Sequence, residues 1–367
     1  MFRDDVLEAI IRDIIDNPTE KISIHDLDEI TELVINDYDL YSLDGIEYLR
    51  NLEYLEANNN NILIIDNLAS LQYLSHLDLS NNRIKNIEVI ASLNNLTVLN
   101  LAHNNVDEVF AIETIITLKH LNLNHNNIED ISYLSGLTRL EYLDISNNAV
   151  NSIYELDQLN ELIYFAAEKN YIDDFNIIEN YTKLIYLNLN NTSVDTLNFL
   201  NCPDLKILHL NNNSISDIST LQTVPSLTYL GLDYNNIYSI SALETLTELE
   251  SLFLNNNHIE TVSVLDNLKK LKNVYLKNNK ITLIQFINYT PELIHLHVGN
   301  NRITDIDFEH NVSYLKSLSI ENNPINNFAF LNNFKNLELL YISPEMEPAK
   351  KTLDSLSLNN VIFKPEI

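Results

Sequence analysis

The stretch LKHLNLNHNNIEDISYLSGLTR, residues 118–139, is one copy of a 22-residue pattern that recurs along most of the chain. Its fixed residues are Leu118, Leu121, Leu123, Asn126, Ile128, Ile131, Leu134 and Leu137. With the first leucine as position 0, the pattern restarts at Ile30, Leu52, Leu74, Leu96, Leu118, Leu140, Leu162, Leu184, Leu205, Leu227, Leu249, Leu271, Leu293, Leu315 and, truncated, Leu337. A fixed period of this length indicates a solenoid, in which each copy stacks on the next.

The spacing within one copy predicts its local structure. Leu121 and Leu123 alternate with polar residues, which is typical of a short strand with one buried face. The apolar residues from Ile128 onward recur every three residues, which favours tight 3₁₀ turns over an α-helix. Each unit is therefore predicted to be a strand, a corner and a compact return segment.

An asparagine occupies the corner, at position 8, of almost every unit. The set is Asn60, Asn82, Asn104, Asn126, Asn148, Asn170, Asn213, Asn235, Asn257, Asn279, Asn301 and Asn323. An amide both donates and accepts hydrogen bonds, so we expect it to satisfy backbone groups that the turning chain buries. Tyr38 and Thr192 break the column, and Thr192 lies in a unit of 21 residues containing Cys202 and Pro203. A local irregularity is predicted there.

The consensus LxxLxLxxNxIxxIxxLxxLxx resembles the leucine-rich repeat family in its 22-residue variant. Similar repeats occur in the leucine-rich regulatory subunit of protein phosphatase 1 and in the internalins of bacterial pathogens. The resemblance implies an α/β repeat solenoid of horseshoe shape, with a parallel β-sheet on the concave face and a 3₁₀ or irregular convex face. It does not identify a partner, because fold and function separate in such scaffolds.

The repeat pattern predicts three parts of the chain: an N-terminal helical cap over residues 1–29, about fourteen units and a truncated last one over 30–342, and a C-terminal cap over 343–367. In the first cap, Asp4 or Asp5 begins a helix with an apolar stripe. The stripe is Val6, Leu7, Ile10, Ile11 and Ile14. In the last cap we expect a short helix over 349–358 and a strand over 361–363.

Charge and cysteine content narrow the possible partners and compartments. The chain has 52 acidic and 22 basic residues and a net charge of −30, which disfavours nucleic acid and anionic membranes. The excess acid either keeps the repeats soluble or favours a basic partner. The single cysteine excludes an internal disulfide framework and favours a reducing compartment.

The beginning of the chain bears on localisation. The segment MFRDDVLEAIIRDIID interrupts its apolar residues with charges, unlike a signal peptide, and no apolar run is long enough to span a membrane. We therefore expect a cytoplasmic protein, or one that enters the cytoplasm of a host cell by a non-classical secretion route.

The candidate partner-binding site lies at positions 2 and 4 of the strands, which face the concave side. The candidates are Tyr54, His76, His120, Tyr142, Tyr164, Tyr186, His209, Tyr229, Phe253, Tyr275, His295, His297 and Tyr341. Exposed tyrosines give large contact area and a hydroxyl at low entropic cost, as binding hot spots require. The alternative is that these rings only stabilise neighbouring strands by stacking.

Charges and histidines on this side of the units suggest two further features. Acidic residues lie in the N-terminal half (Glu32, Asp37, Asp39, Glu56, Asp78, Asp144), whereas Lys277, Lys280 and Arg302 lie in the C-terminal third. Either a partner with a basic end docks in one direction, or the solvated positions simply vary. His103 and His125 share a column, but no third ligand stands at regular spacing, so neither a metal nor another cofactor is predicted.

No catalytic motif supports an enzyme. The chain lacks a nucleophile with a base at motif spacing and a Gly-rich phosphate loop, and its four glycines are scattered. The sequence therefore predicts a non-enzymatic scaffold that binds a protein partner on its concave face. One hypothesis is a bacterial virulence effector that acts on host proteins, because the repeats are rich in Asn and Ile, as in an AT-rich genome. The alternative is a cytosolic regulatory subunit that binds a protein phosphatase catalytic subunit.

Overall fold

A computed structural model describes residues 2–307, 314–334 and 336–344, and the backbone of 360–363. Contacts between residues divide the chain into two compact units. Unit 1 is Met1–Leu184 and unit 2 is Ile185–Ile367.

Unit 1 begins with two helices, α1 (Asp5–Ile14) and α2 (Ile24–Leu27). A series of three-residue parallel strands follows: β1 Glu32–Val34, β2 Tyr54–Glu56, β3 His76–Asp78, β4 Val98–Asn100, β5 His120–Asn122, β6 Tyr142–Asp144 and β7 Tyr164–Ala166. The return segments are 3₁₀ helices at Ile46–Tyr48, Asp66–Ser70, Glu88–Ser92, Phe110–Ile112, Ser132–Leu134, Tyr154–Leu156 and Asn176–Asn180.

Unit 2 repeats the same design. Its strands are β8 Tyr186–Asn188, β9 Ile207–His209, β10 Tyr229–Gly231, β11 Ser251–Phe253, β12 Asn273–Tyr275, β13 His295–His297, β14 Ser317–Ser319, β15 Leu339–Ile342 and β16 Asn360–Phe363. Its 3₁₀ helices are Ser219–Thr223, Ser241–Thr245, Ser263–Asn267, Gln285–Asn288 and Ala329–Asn333. The predicted fold class, a leucine-rich repeat solenoid with parallel strands and 3₁₀ return segments, is confirmed.

The register of the strands places equivalent residues beside one another. Leu121 pairs with Leu143 and His120 with Tyr142, which is a shift of one whole repeat. The middle leucine of each strand is buried, and Leu121 and Leu143 are 0% exposed. Each buried leucine contributes about 1.5–3 kcal/mol to stability. Positions 2 and 4 therefore point away from this core and form columns along one exposed sheet face, with neighbouring strands about 4.8 Å apart.

The corner asparagines link the repeats as predicted. The Nδ2 atom of Asn126 donates to the carbonyl oxygens of Leu123 (3.0 Å) and, in the preceding repeat, Leu101 (2.9 Å). Its Oδ1 atom accepts from the backbone N–H of Val106 (2.9 Å). At Thr192 a hydroxyl replaces the amide, and Oγ1 donates to the Leu189 carbonyl at 2.7 Å. The predicted irregularity is confirmed, because no 3₁₀ helix lies between β8 and β9, a stretch that the structure describes throughout.

Position 7 has a role that the sequence analysis missed. Its residues adopt left-handed backbone conformations with φ between 52 and 63°. They are Asp37, Asn59, Asn81, His103, His125, Asn147, Lys169, Asn191, Asn212, Tyr234, Asn256, Asn278, Asn300 and Asn322. Asparagine tolerates this conformation better than most residues, so the corner itself explains why asparagine is frequent at this position.

The buried stripe of the N-terminal helix is narrower than predicted. Asp4 caps α1 by accepting from the backbone N–H groups of Val6 and Leu7. Leu7 and Ile11 are fully buried, whereas Val6 and Ile14 are 42% and 48% exposed. At the other end, β16 is parallel to β15 and includes the predicted strand. The predicted helix over 349–358 lies outside the described residues.

Candidate protein-binding face

Unit 1 carries a flat stack of rings on its exposed sheet face. The ring centroids of His120 and Tyr142 are 3.8 Å apart, and those of Tyr142 and Tyr164 are 4.1 Å apart. The interplanar angles are only 9° and 12°. All three residues occupy position 2, where the register sets them side by side. Both faces of the Tyr142 ring are therefore covered by neighbouring rings.

A second stack in unit 1 is separate from the first. Tyr54 and His76 lie 4.1 Å apart at 14°, and Val98 then occupies position 2 before His120. Tyr54 also donates its hydroxyl to Glu56, which in turn accepts from Asn36 at 2.8 Å. The hydrogen bond to Glu56 is the main cause that raises the pKa of Tyr54 to about 12. The candidate binding residues of unit 1 are thus held in place by ring stacking and hydrogen bonds within the protein.

Unit 2 carries a continuous but tilted run of rings, here called the ring track. It consists of Tyr186, His209, Tyr229, Phe253, Tyr275, His297 and Tyr341. Centroid distances between successive rings are 4.6–5.7 Å. Only the pair Phe253 and Tyr275 is flat, at 6°, whereas the other pairs are tilted by 34–50°. The tilt leaves parts of the ring faces uncovered.

The ring track alternates between columns at its start. Tyr186 and Tyr229 occupy position 2, His209 occupies position 4 of the repeat between them, and Phe253 continues at position 4. Gly231 has no side chain in the position 4 column, where the Asn211 amide lies 2.9 Å from the place of a Cβ atom, and the His297 and Tyr341 rings are 5.7 Å apart on either side of the small Ser319. Within unit 2 the aromatic residues thus cross from position 2 to position 4.

Two phenols of the ring track can donate hydrogen bonds to a partner. Tyr229 and Tyr275 are half-buried, and burial raises the pKa of each hydroxyl. Within the part of the chain that the structure describes, neither hydroxyl has a hydrogen-bond partner. Both groups therefore stay protonated at neutral pH and are available as donors.

His295 does not join the track. It occupies position 2 of β13, half-buried, and no ring contact involves it among the described residues. Burial, with a further contribution from Lys316, lowers the pKa of its imidazole. Partner binding stays a prediction for His295 as for the other candidates, but in its case no ring contact supports the prediction.

The acidic residues of unit 1 are held in hydrogen-bond networks. Asp144 is 7% exposed and accepts from the Ser146 backbone N–H (2.9 Å) and from Asn124 Nδ2 (3.1 Å). Asp78 likewise accepts from Ser80 and Asn100. These carboxylates accept hydrogen bonds from groups at or beside the strand ends. Only part of their charge is therefore available to a partner.

Lys277 of unit 2 is not available as a surface charge, contrary to the predicted grouping with Lys280 and Arg302. Its Nζ atom lies 2.7 Å from Glu321 Oε1, and the two side chains are 21% and 6% exposed. Gly299 lies between them, and a Cβ atom there would be 2.5 Å from the Glu321 carboxyl carbon. Although burial alone would raise the pKa of Glu321, the hydrogen bonds from Lys277 and Ser319 outweigh it and lower this pKa.

The two histidines considered for metal binding form a ring stack. His103 and His125 lie 4.1 Å apart at 17°, and His125 Nδ1 also contacts Asn124 Oδ1. Burial and then the neighbouring His103 lower the pKa of His125. No group of three or more His, Cys, Asp or Glu residues in the described ranges has the arrangement of a metal site.

Comparisons with known proteins agree with this repeat architecture. The family model "Leucine Rich repeats (2 copies)" matches residues 74–111, 116–180 and 225–267, and the model "Leucine rich repeat" matches 182–237. A search of curated proteins finds no match. Among solved structures, an internalin (InlF) of Listeria monocytogenes is 31% identical, with a TM-score of 0.85 over 88% of this chain and 96% of that chain.

Two more distant structures share the fold. A leucine-rich repeat protein of Leptospira interrogans is 21% identical, with a TM-score of 0.68 over 93% of this chain and 97% of that one. The ectodomain of an Arabidopsis thaliana receptor kinase, solved in complex with CASPARIAN STRIP INTEGRITY FACTOR 2, is 19% identical. Its TM-score is 0.67, over 87% of this chain and 45% of that one.

The fold and its columns of exposed side chains define a repeat scaffold for protein–protein interaction. The chain belongs to the leucine-rich repeat family, and its repeats resemble those of internalins. Members of this family are typically binding scaffolds without enzymatic activity. In the described part of the chain, no helix has the length and apolar character needed to cross a bilayer.

Proposed function

We propose that the protein is a non-enzymatic scaffold that binds a protein partner, and that the ring track of unit 2 is the principal contact surface. The observation that carries this proposal is the uninterrupted run of seven half-buried, mostly tilted rings on one exposed sheet face. Large aromatic surfaces with few rotatable bonds are the residues on which interface energy concentrates.

The geometry of the rings favours unit 2 over unit 1. A partner gains contact area only from ring surface that neighbouring rings leave uncovered. In unit 1 the Tyr142 ring is covered on both faces, whereas the tilted rings around Tyr229 present faces and edges together. The free hydroxyls of Tyr229 and Tyr275 add hydrogen-bond donors. We therefore assign the stacks of unit 1 chiefly to stability.

Other proteins of this fold support a protein ligand in general terms. The Arabidopsis receptor ectodomain was solved in complex with CASPARIAN STRIP INTEGRITY FACTOR 2, and a plant peptide hormone receptor, RGFR1, was solved in complex with RGF2. Both are below 25% identity, so their ligands do not indicate the partner of this chain.

The finer hypothesis is that the protein is a bacterial effector that acts on host proteins. Its support is the 31% identity to an internalin of Listeria monocytogenes across most of both chains. A translocation reporter fused to the protein would test it: the hypothesis predicts a signal inside host cells that a secretion-deficient strain does not give, and equal signals would contradict it. The phosphatase alternative has no support from a described contact.

A capture experiment tests the binding function itself. Wild-type protein and a variant carrying Tyr229→Ser, Phe253→Ser and Tyr275→Ser would be used as bait in eukaryotic lysate, with mass spectrometry of what is retained. Tyr142→Ser with Tyr164→Ser is the matched control in unit 1. We expect partners that the unit 2 variant loses and the unit 1 variant keeps, after both are shown to be folded. Retention of the same partners by the unit 2 variant would contradict the proposal, and recovery of a phosphatase catalytic subunit would favour the alternative.

A further inference from the structure

A column of basic side chains lies at position 9 of the repeats in unit 2. His258, Lys280 and Arg302 occupy this position in three consecutive repeats. The backbone N–H of Lys280 donates to the Ile259 carbonyl and that of Arg302 donates to the Ile281 carbonyl, both at 2.9 Å. These bonds repeat the same register from one 22-residue repeat to the next. The three side chains therefore lie along the same edge of the stacked repeats. We call these residues, with Tyr238, the basic rim.

Tyr238 provides an aromatic surface for this column. Its ring centroid lies 4.9 Å from that of His258, and Lys280 Nζ lies 5.8 Å from the Tyr238 centroid. Tyr238 is 60% exposed, and Leu283, in the repeat of Lys280, is 56% exposed. A cation held over an aromatic ring is oriented without being neutralised. Lys280 therefore keeps its full charge for another ligand.

Two positive charges of the rim lack an ion-pair partner among the described residues. Among the described residues, three other lysines of unit 2 pair with carboxylates of a neighbouring repeat, as Lys270 does with Glu248 at 2.6 Å. In contrast, neither Lys280 nor Arg302 forms an ion pair with a carboxylate among the residues that the structure describes. The residues that precede them at positions 6–8, which are 277–279 and 299–301, contain no acidic side chain, and Lys277 there is already paired. The rim thus carries two positive charges outside ion pairs on a chain of net charge −30, although Glu260 and Asp305 lie two and three residues after His258 and Arg302.

We propose that the basic rim binds an acidic segment of a protein partner, with its carboxylates at Lys280 and Arg302 and an apolar side chain against Tyr238. This inference rests on the proposed function, because it assigns the acidic segment to the same partner that would contact the ring track. A short segment is favoured over an extended polyanion. Charges farther away than about 8 Å are screened at physiological salt, so a short segment meets only the local positive charge. A nucleic acid or an anionic membrane would also meet the surrounding acidic surface.

The test uses a short fluorescein-labelled oligoglutamate peptide as the probe. Its affinity for the full chain would be measured by fluorescence anisotropy at about 0.15 M salt, where the screening argument applies, and the contact would be located by NMR shifts. We expect weak binding, with a Kd of about 1 mM, and shifts centred on Lys280 and Arg302. Replacement of both cations, Lys280→Gln with Arg302→Gln, should weaken binding about tenfold, since each exposed ion pair is worth up to about fivefold.

Arg83 and Arg139 of unit 1 supply the matched control. Both are exposed, and Arg83 occupies the same position 9 but has Asn61 and Asn105 as its neighbours in the column. Arg83→Gln with Arg139→Gln changes the net charge by the same amount, and we expect unchanged affinity. An unaltered affinity of the rim variant, an equal loss in both variants, or tighter binding of a single-stranded oligonucleotide or phosphatidylserine vesicles than of oligoglutamate would overturn the proposal.

The variant carrying Tyr229→Ser, Phe253→Ser and Tyr275→Ser separates this proposal from the proposed function. It retains the basic rim, so we expect it to bind oligoglutamate like the wild type even where it no longer captures a partner. If partner capture does not depend on the rings but oligoglutamate binding depends on the rim, the ring assignment fails and the rim assignment stands. If partner capture depends on the rings but oligoglutamate binding does not depend on the rim, the rim assignment fails and the ring assignment stands.

Discussion

The stack of unit 1 and the ring track of unit 2 are built on the same repeat but differ in geometry. In unit 1, His120, Tyr142 and Tyr164 share one column, and the parallel register sets their rings flat against one another at 3.8–4.1 Å. In unit 2 the rings change column around His209, and the pairs tilt by up to 50°. A change of column therefore accompanies the tilt around His209, but it is not the only cause, because Tyr275, His297 and Tyr341 share position 4 and are tilted by 47–50° as well. The flat stack uses the faces of its rings for contacts between strands, whereas the tilted pairs make less face-to-face contact.

The comparison assumes that the two units share the same scaffold, and the corner asparagines test this assumption with the largest expected effect. Asn148 donates to Leu123 and Ile145 and accepts from Ile128, and Asn257 makes the equivalent bonds to Leu232, Leu254 and Ile237. Either change to Ala leaves several buried backbone groups unpaired and should lower the free energy of unfolding by about 3 kcal/mol or more. Urea denaturation would measure this. A difference between Asn148→Ala and Asn257→Ala above about 1 kcal/mol would contradict a shared scaffold, because single-mutation effects scatter on that order.

The buried ion pair of unit 2 provides the next largest effect. Gly299→Ala places a methyl group where the Glu321 carboxylate lies, which should separate Glu321 from Lys277 and cost about 2 kcal/mol. Gly136→Ala in unit 1 is the control, because nothing lies within 4 Å of the added Cβ atom. We expect little or no loss there. Thermal unfolding of both variants would distinguish the two cases, and equal stability would show that Glu321 moves aside freely.

The ring geometry itself predicts a smaller difference in stability. Tyr142 stacks on two rings, so Tyr142→Ser should lower the free energy of unfolding by about 2 kcal/mol, at about 0.5–1.5 kcal/mol for each aromatic pair. Tyr229 has two tilted neighbours at 4.6 and 5.1 Å, so Tyr229→Ser should cost less. Denaturant titration of both single variants would measure the order. If Tyr229→Ser is the more destabilising, the ring track serves stability more than the stack does.

The smallest expected effect is a pH dependence of unit 1. Burial, reinforced by His76, lowers the pKa of His120 below its ordinary 6.5. Between the lowered pKa and 6.5, the unfolded chain binds more protons than the folded one, so His120 makes the free energy of unfolding fall as the pH falls through this window. In the His120→Tyr variant, which keeps a ring in the stack, the dependence of the unfolding midpoint on pH should be flatter. A slope equal to that of the wild type would exclude His120 as a contributor.

Much of the fold could be predicted from the sequence because the repeat length fixes the register of the strands. The period of 22 residues sets the strand pairing, and the leucines at positions 0, 3 and 5 identify the core. The corner bonds of Asn126 follow from the chemistry of an amide at a buried turn. The left-handed conformation at position 7 was missed, because His125, Lys169 and Tyr234 obscure the asparagine signal there.

The candidate site was less predictable, because side-chain contacts across repeats are not encoded in periodicity. The columns located the rings, but the repeat pattern does not specify whether neighbouring rings stack flat or tilt, as the pairs at 9° and 50° show. The pairing of Lys277 with Glu321 spans 44 positions and depends on the missing side chain of Gly299. The cation over Tyr238 likewise crosses two repeats.

Hydroxyl-radical footprinting of the full chain, with and without a captured partner, tests the central claim most directly. Tyrosine, phenylalanine and histidine side chains are oxidised in proportion to their exposure, so the exposure of each ring can be followed separately. Our account predicts that Tyr229, Phe253 and Tyr275 lose reactivity when the partner binds, while Tyr142 and Tyr164 keep theirs. Protection of Tyr142 and Tyr164 with unchanged reactivity in the ring track would contradict it.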